Sequence, residues 1–439
     1  MKIRLLSPLF TAFFVIICLS GRCQPAPPPV APFPGIIWQT SLGGSGFETI
    51  HSLEPLSDGG FIAAGETSSR DGDIQEQSGK GDALIIRYNA SGTVVWHKVF
   101  GGPESDRAWS IYPTSDGGFI FAGETRYRTD ETGYKGSLDA WIVKLSSDGT
   151  MEWEECLGGT AEEGATAVRQ TSDGGYAVTG FSTSWDAPFE GNNGESDAWV
   201  AKLGADGSLA WLSCIGDYGD DIAYDLEICS DGSFILAGKS VTPLNEPEDA
   251  SFGLGNFLIA KVDAAGSLLW SNSFGGLNDD CAYDVTILKD NSFLLTGFAR
   301  SHTGDVTGHF GSADVWVVKV TSEGDYSWGK CFGGMSDDIG YQAREMSNGY
   351  FLVAGNTRSK DNQVEGTHNR WDAWILVLDQ TGNLLKAQVI GGRDDDMAEA
   401  AIETSDGDIV FGGHGSVTGS WDVTSGHACG DGWLVKVRF

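Results

Sequence analysis

The stretch SDGGFIAAGET, residues 57–67, recurs along the chain and decides its fold. Its other copies begin at Ser115, Ser172, Ser230, Lys289, Ser347 and Ser405. The glycine near the end of each copy falls at Gly65, Gly123, Gly180, Gly238, Gly297, Gly355 and Gly413, so successive units are 57 to 59 residues long. A fixed period over most of the 439 residues indicates one composite repeat architecture rather than several independent domains.

Each unit carries four short strand-like runs. In the second unit these are AWSIYPT from Ala108, FIFAGET from Phe119, DAWIVKL from Asp139 and TMEWEECL from Thr150. The runs are rich in Val, Ile, Phe and Trp, and Asp-Gly pairs of the kind that form tight hairpin turns separate them. Seven units of four antiparallel strands predict an all-β fold, a seven-bladed β-propeller.

The two ends of the repeat region complement each other. IIWQTSL from Ile36 reads as a lone fourth strand, and DGWLVKVRF from Asp431 reads as a lone third strand. Pairing of the N-terminal strand with the C-terminal strand would complete one blade and close the ring, which leaves few free strand edges. We therefore assign residues 36–439 to the propeller.

The first 35 residues are predicted to direct export. Residues 1–23 have a basic start and an apolar run, LFTAFFVIICLS from Leu9, that is too short to span a bilayer, as in a signal peptide. Cys23 is a candidate lipidation site, although Arg22 stands where lipoprotein signals carry a small residue; secretion without lipid is the alternative. Residues 24–35 form a Pro-rich, extended linker. We expect a secreted, periplasmic or outer-membrane surface-anchored protein with no transmembrane span after processing.

The charge of the chain restricts the classes of partner that it can bind. The formal net charge is −33, from 61 acidic and 28 basic residues. Such a field repels nucleic acids and anionic membrane surfaces, and it favours cations or a basic partner. Solubility is the alternative explanation of the acidic surface. Six cysteines lie beyond the leader without a CxxC pair, so no cysteine metal site is expected and disulfide pairing is left open.

The repeat also carries a resemblance. FGGLNDDCAYDVTILKDNSFLLTGFA from Phe274 and GSADVWVVKVTSEGDYSW from Gly311 resemble the units of secreted and surface β-propeller proteins of Bacteroidetes. The resemblance covers nearly all of the chain after the leader. It implies a propeller fold and an extracellular setting, and it implies no particular activity.

One acid recurs in every unit, five residues after the first glycine of the link between units. These ring acids are Glu48, Asp106, Glu163, Asp221, Asp280, Asp338 and Asp396. They stand where the chain enters the first, innermost strand, so close carboxylates could ring the channel mouth and hold calcium, another cation or a basic partner. The alternative is that each accepts backbone N–H bonds within its own turn.

A second set follows the ring acids by three residues. It comprises the aromatics Trp109, Tyr224, Tyr283 and Tyr341, together with His51, Thr166 and Glu399. Aromatic rings beside carboxylates can bind a saccharide or a cationic group. Packing between blades is the alternative.

These features predict an exported or surface-tethered, non-catalytic binding or scaffold module. The chain has no GxSxG elbow, no HExxH motif and no phosphate-binding loop. In a propeller the short turns between strands 1 and 2 and between strands 3 and 4 of each blade lie on one face, and the longer 2–3 loops and the links between blades lie on the other. This acidic long-loop face would be the interaction surface for a protein or glycan at the cell envelope, with calcium as a candidate stabilising ion. The alternative function is a glycan-binding or glycan-hydrolysing propeller that uses the channel-mouth carboxylates and aromatics. A third is a purely structural envelope protein.

Overall fold

A computed structural model describes residues 35–75, 79–126, 137–241, 254–368, 370–416, 422–423, 426–427 and 430–438. The predicted signal peptide, Cys23 and residues 24–34 of the predicted linker lie outside these ranges. The described residues form β-strands and turns, without a helix long and apolar enough to cross a membrane.

The strands form seven four-stranded antiparallel sheets, which confirms the predicted seven-bladed propeller. Blade 1 consists of β2 (Glu48–Pro55), β3 (Phe61–Thr67), β4 (Asp82–Tyr88) and β5 (Val94–Phe100). Blade 2 consists of β6 (Asp106–Pro113), β7 (Phe119–Thr125), β8 (Asp139–Leu145) and β9 (Met151–Leu157). Blade 3 consists of β10 (Glu163–Gln170), β11 (Tyr176–Ser182), β12 (Asp197–Leu203) and β13 (Leu209–Ile215). Blade 4 consists of β14 (Asp221–Ile228), β15 (Phe234–Ser240), β16 (Asn256–Val262) and β17 (Leu268–Phe274).

The ring continues in the same way and closes on the N-terminal strand. Blade 5 consists of β18 (Asp280–Ile287), β19 (Phe293–Ala299), β20 (Asp314–Val320) and β21 (Tyr326–Phe332). Blade 6 consists of β22 (Asp338–Glu345), β23 (Phe351–Thr357), β24 (Asp372–Leu378) and β25 (Leu384–Ile390). Blade 7 consists of β26 (Met397–Glu403), β27 (Ile409–Gly415), β28 (Asp431–Val437) and β1 (Ile36–Leu42). The pairing of β1 with β28, in which Gln39 lies opposite Val435, confirms the predicted closure.

The repeated phrase makes a turn and a strand. The backbone N–H of Leu56 donates to the carbonyl of Gly60 at 2.9 Å, and Gly59 takes a positive φ of 81°. Gly65, near the end of the phrase, lies opposite a bulge in β2, and a Cβ there would lie 1.8 Å from the carbonyl oxygen of Thr49. Only glycine fits this close approach of two strands.

The aspartate of the phrase is fixed by the third strand of its own blade. Ion pairs of this kind are Arg87–Asp58, Lys144–Asp116, Lys202–Asp173, Lys261–Asp231, Lys319–Asp290 and Lys436–Asp406. Hydrogen bonds from Thr171 and Gly175, with the charge of Lys202, lower the pKa of Asp173 to about 2. The turn aspartate therefore has a structural role in six of the blades.

A tryptophan on the fourth strand joins each of six blades to the next. The contacts between rings are Trp38–Phe61, Trp96–Phe119, Trp153–Tyr176, Trp211–Phe234, Trp270–Phe293 and Trp328–Phe351. The centroids of Trp211 and Phe234 are 5.9 Å apart. The indole also covers the 3–4 turn of the next blade, since a Cβ on Gly266 (φ +88°) would lie 2.8 Å from Cε3 of Trp211.

We expect Trp211→Ala to lower the free energy of unfolding by about 2–4 kcal/mol, because it leaves a void between blades 3 and 4. Trp185→Ala is the matched control, since that indole is 68% exposed and its loss should cost less than about 0.5 kcal/mol. Urea unfolding followed by tryptophan fluorescence measures both. Equal losses for the two variants would contradict the junction's role.

Candidate functional site

The seven ring acids are fully buried at the starts of the inner strands or, for Asp396, one residue before β26. Each accepts the backbone N–H four residues earlier in its own link: Gly44 for Glu48, Gly102 for Asp106, Gly159 for Glu163, Asp217 for Asp221, Gly276 for Asp280, Gly334 for Asp338 and Gly392 for Asp396. This geometry is that of a turn cap. It favours the structural interpretation of these acids, and cation binding by them stays a prediction.

Hydroxyl groups of the following loop complete the cap. Asp338 Oδ2 accepts the backbone N–H of Gly334 at 2.8 Å and the hydroxyl of Ser359 at 2.7 Å, and Thr357 donates to Oδ1. Asp280 makes the equivalent bonds with Gly276 and Ser301. One carboxylate thus ties the link between blades to the 2–3 loop of the blade that it enters.

The ring acids face a second set of buried acids, which begin the third strands. A Cβ on Gly333 would lie 2.5 Å from Oδ2 of Asp338 and 2.6 Å from Oδ1 of Asp314, so the two carboxylates converge on this glycine. Similar convergence occurs at Gly43, Gly101 and Gly391. Burial, with the nearby charge of Asp338, raises the pKa of Asp314 to about 7. Among the described residues, no group of three or more His, Cys, Asp or Glu side chains is arranged to hold a metal ion.

The predicted aromatic set lies in the inner strands at one level of the channel, next to their bulges. Tyr283 stacks on Tyr341 at 5.4 Å with an interplanar angle of 12°, and it contacts Tyr224 edge-on at 5.1 Å. Trp109 contacts His51 at 4.4 Å. The rings are half-buried and pack on one another, so the structure brings them together as two groups on either side of Thr166.

An ion pair completes this aromatic level. His51 Nδ1 lies 2.7 Å from Glu399 Oε2. Burial disfavours the imidazolium, but the charge and hydrogen bond of Glu399 outweigh it and raise the pKa of His51. The same pair lowers the pKa of Glu399 despite its burial. Blades 1 and 7 therefore hold a charged pair on the channel wall beside the seam where the ring closes.

A second level of the channel, closer to the short turns, was missed by the sequence analysis. Here the side chain six residues after each ring acid takes five residue types in seven blades: Glu54, Tyr112, Arg169, Glu227, Thr286, Arg344 and Ile402. We call these residues the charged level. Arg344 pairs with Glu54, although their blades are not adjacent. Arg169 donates to Asp225 and Glu227, both at 3.1 Å, and lies 5.4 Å from the ring of Tyr112.

A sequence signal for this level exists. When the seven units are aligned, the position six residues after the ring acid holds acidic, basic, aromatic and apolar residues, whereas the ring position always holds Asp or Glu. Charged residues at such a position of an inner strand must either face the channel or be paired, because an unpaired buried charge is costly. The variable position, rather than the repeated one, distinguishes the blades.

The long-loop face carries an unusual apolar feature. Two residues after the link glycines of blades 4, 5 and 6 stand Tyr218, Leu277 and Met335, which are 73%, 61% and 63% exposed. The other blades have Ser45, Pro103, Thr160 and Arg393 at this position. Phe310, 37% exposed, lies in the loop that packs on the link of Met335, since a Cβ on Gly311 would lie 2.7 Å from the Met335 carbonyl oxygen. We call these four residues the apolar arc.

Comparison with known proteins gives relatives at low identity. No protein-family model matches the chain. The regulatory protein FlaEY of Caulobacter vibrioides is 25% identical over 382 residues, which are 82% of this chain and 36% of that protein. The chain thus spans about a third of the length of this relative.

Solved structures with a similar course of the chain include proteins of unknown function. One from Dyadobacter fermentans is 10% identical and aligns over 92% of this chain and 100% of its own, with a TM-score of 0.47. One from Bacteroides caccae is 10% identical over 70% of this chain and 89% of its own, with a TM-score of 0.40. The WD40 domain of Neurospora crassa Pan2 is 11% identical over 92% and 98%, with a TM-score of 0.49. The seven four-stranded sheets, arranged in a closed ring, establish that the chain is a β-propeller repeat protein.

The buried acids predict that the protein becomes less stable as pH rises from about 4 to 8. Burial raises the pKa values of Asp221, Asp314 and Asp396 to about 7 from an ordinary 3.8. The folded state therefore holds protons that the unfolded chain releases in this window, and their loss destabilises the fold. We expect a melting temperature several degrees higher at pH 5 than at pH 8 by calorimetry.

Asp221→Asn should raise the melting temperature at pH 8 and flatten this dependence, because burial penalises the charge of Asp221 and the amide does not ionise. Asp206→Asn is the control. Hydrogen bonds from Ser208 lower the pKa of Asp206, so this variant should be no more stable than wild type at pH 8. A wild-type melting temperature that rises with pH across this range would contradict the assignment.

Proposed function

We propose that this protein is an exported, non-catalytic binding module, and that the long-loop face of blades 4 to 6 docks a protein partner. The observation that carries the proposal is the apolar arc. Monomeric soluble proteins seldom expose several large apolar side chains together unless the patch binds something. Three of the four residues take one repeat position in consecutive blades, where other blades carry smaller or polar side chains.

The charge around the arc favours a basic partner. Asp217, Asp220 and Asp337 lie in the same links, and the chain carries a net charge of −33. An apolar centre with an acidic rim suits a segment that has apolar anchors and flanking Lys or Arg, because the rim charges steer association and the anchors supply affinity.

A peptide array tests this proposal. We expect the protein to bind peptides that combine Leu or Phe with Lys or Arg, and to ignore peptides in which Glu replaces the basic residues. A triple variant, Tyr218→Ser, Leu277→Ser and Met335→Thr, should weaken this binding at least about ten-fold, since it restores side chains found in the other blades.

The control removes apolar area elsewhere on the surface. Val95 and Leu269 are 58% and 54% exposed on fourth strands, and Val95→Ser with Leu269→Ser should leave binding unchanged. Equal binding by the triple variant and the wild type would exclude the arc as the docking surface.

Export and calcium are parts of the proposal that rest on the sequence. The basic start and apolar run of residues 1–23 support a processed leader, and Cys23 supports an anchored form. The acidic loops of the long-loop face support stabilisation by calcium. Calorimetry should then give a higher melting temperature in millimolar calcium than in EDTA, and identical values would rule out calcium stabilisation.

The aromatic level favours one alternative function, the binding or hydrolysis of glycans. Its stacked tyrosines and adjacent carboxylates have the residue types that saccharide sites use. Glycan binding that is lost on Tyr283→Ala, or release of sugar from a polysaccharide, would favour this alternative over the docking module.

A further inference from the structure

The charged level of the channel borders a cavity that the proposed function does not use. The cavity has a volume of about 300 Å³ and is lined by Arg169, Glu227, Asp284, Thr286, Arg344 and neighbouring residues. It continues into a wider depression of about 710 Å³ at the short-turn face, which shares Arg169 and Glu227 and includes Tyr112. A small molecule thus has both a space and an entrance on the face opposite the apolar arc.

The basic side chains of this level already donate hydrogen bonds to acceptors of the same chain. Arg169 donates three hydrogen bonds: from Nε to Glu227 at 3.1 Å, from Nη2 to Asp225 at 3.1 Å and from Nη1 to the carbonyl of Val168 at 3.0 Å. Arg344 is bound by Glu54. Lys289 Nζ donates to the Met346 carbonyl at 2.8 Å. These cations have little capacity left for an anionic ligand.

Asp284 is different. The residue is buried, with a relative exposure of 7%. Its Oδ2 accepts the backbone N–H of Ala343 at 3.0 Å, Oδ1 has no donor among the described residues, and the residue lines the cavity. A carboxylate that is largely removed from water and has one protein donor gains from a further donor, which a ligand in the cavity can supply.

The surrounding charge is also unbalanced. The carboxylates on the cavity wall or bonded to it are Glu54, Asp225, Glu227, Asp284 and Glu345, and the cations are Arg169, Lys289 and Arg344. Five negative charges against three positive charges leave an excess of two negative charges. Asp225 accepts hydrogen bonds from Arg169 and from the backbone N–H of Val285. The excess negative charge therefore acts most strongly on Asp284, which has fewer donors. Burial and the charge of Asp225 raise the pKa of Asp284 well above its ordinary range.

We propose that this cavity is a binding site for a primary alkylammonium group, which donates to Oδ1 of Asp284 and is held by the negative charge of Asp225 and Glu227. An ammonium has three donors and no acceptor, so it matches a wall whose unsatisfied group is an acceptor. The group can belong to a small free amine or to a lysine side chain of another protein, and both present the same chemistry to Asp284.

Titration calorimetry with the full chain tests the site with defined probes. Cadaverine represents the free amine, N-acetyl-lysine amide represents a protein side chain, and pentanediol is the neutral counterpart of cadaverine. We expect at least one amine to bind and pentanediol not to bind. Tighter binding of cadaverine would identify a free amine as the ligand, and tighter binding of the lysine derivative would identify a side chain.

Asp284→Asn should weaken the amine at least ten-fold, because it removes the charge but keeps an acceptor for Ala343. Asp325→Asn is the matched control, since it removes an exposed acid from the same blade and should change affinity less than two-fold. Thr286→Lys provides a second test, because the new ammonium would occupy the cavity and should abolish amine binding.

Three results would overturn the proposal. They are the absence of binding by either amine, equal affinity of the wild type and Asp284→Asn for the amine that binds, and calcium or potassium binding that depends on Asp284 without amine binding. The last would assign the cavity to an inorganic cation. The triple variant of the apolar arc should keep amine binding, so failure of the docking proposal and failure of this one are distinguishable.

Discussion

The contact on which the rest of the structure depends is the packing of one blade's fourth-strand tryptophan onto the next blade. Each single sheet is twisted and has two faces, so it is stable only when a neighbour covers both. The indole of Trp211 does this by lying on Phe234 and on the turn at Gly266 at once. Because this contact repeats at six of the seven junctions of a closed ring, most blades support the next in the same way. Lys386 stands at the tryptophan position between blades 6 and 7.

The links between blades are held by buried carboxylates, which is a costly solution. A buried carboxylate without hydrogen-bond donors or a cation beside it destabilises a fold by roughly several kcal/mol. The cost is reduced at Asp338 by three donors and at Asp280 by the equivalent group. Where Asp338 and Asp314 converge on Gly333, burial raises the pKa of both carboxyl groups, which favours a shared proton over two charges. Rigid links of this kind hold the apolar arc and the channel wall in fixed positions.

The sequence predicted much of this fold because its causes are local. Gly65, the Asp-Gly turns and the Val, Ile, Phe and Trp content of each run act over a few residues and recur in register, so a single chain carries many copies of the same signal. The ring acids and the aromatics were also found by repetition. The charged level was not, because the residue type at this repeat position changes between blades. Glu54 and Arg344, 290 residues apart, also pair between blades that are not neighbours. Exposure of Tyr218, Leu277 and Met335 likewise required the structure, since apolar residues in a repeat protein are usually core.

The sequence by itself determined the number of blades, the strands of each and the closure of the ring, because turn chemistry and strand patterning depend on neighbours in the chain. Only the tertiary structure decided which way the ring acids point, which apolar side chains stay exposed and which charges meet across the channel. These depend on side chains that blades far apart in the chain bring together around one axis. The contacts in which the blades differ therefore depend on closure of the ring and cannot be read from the repeat alone.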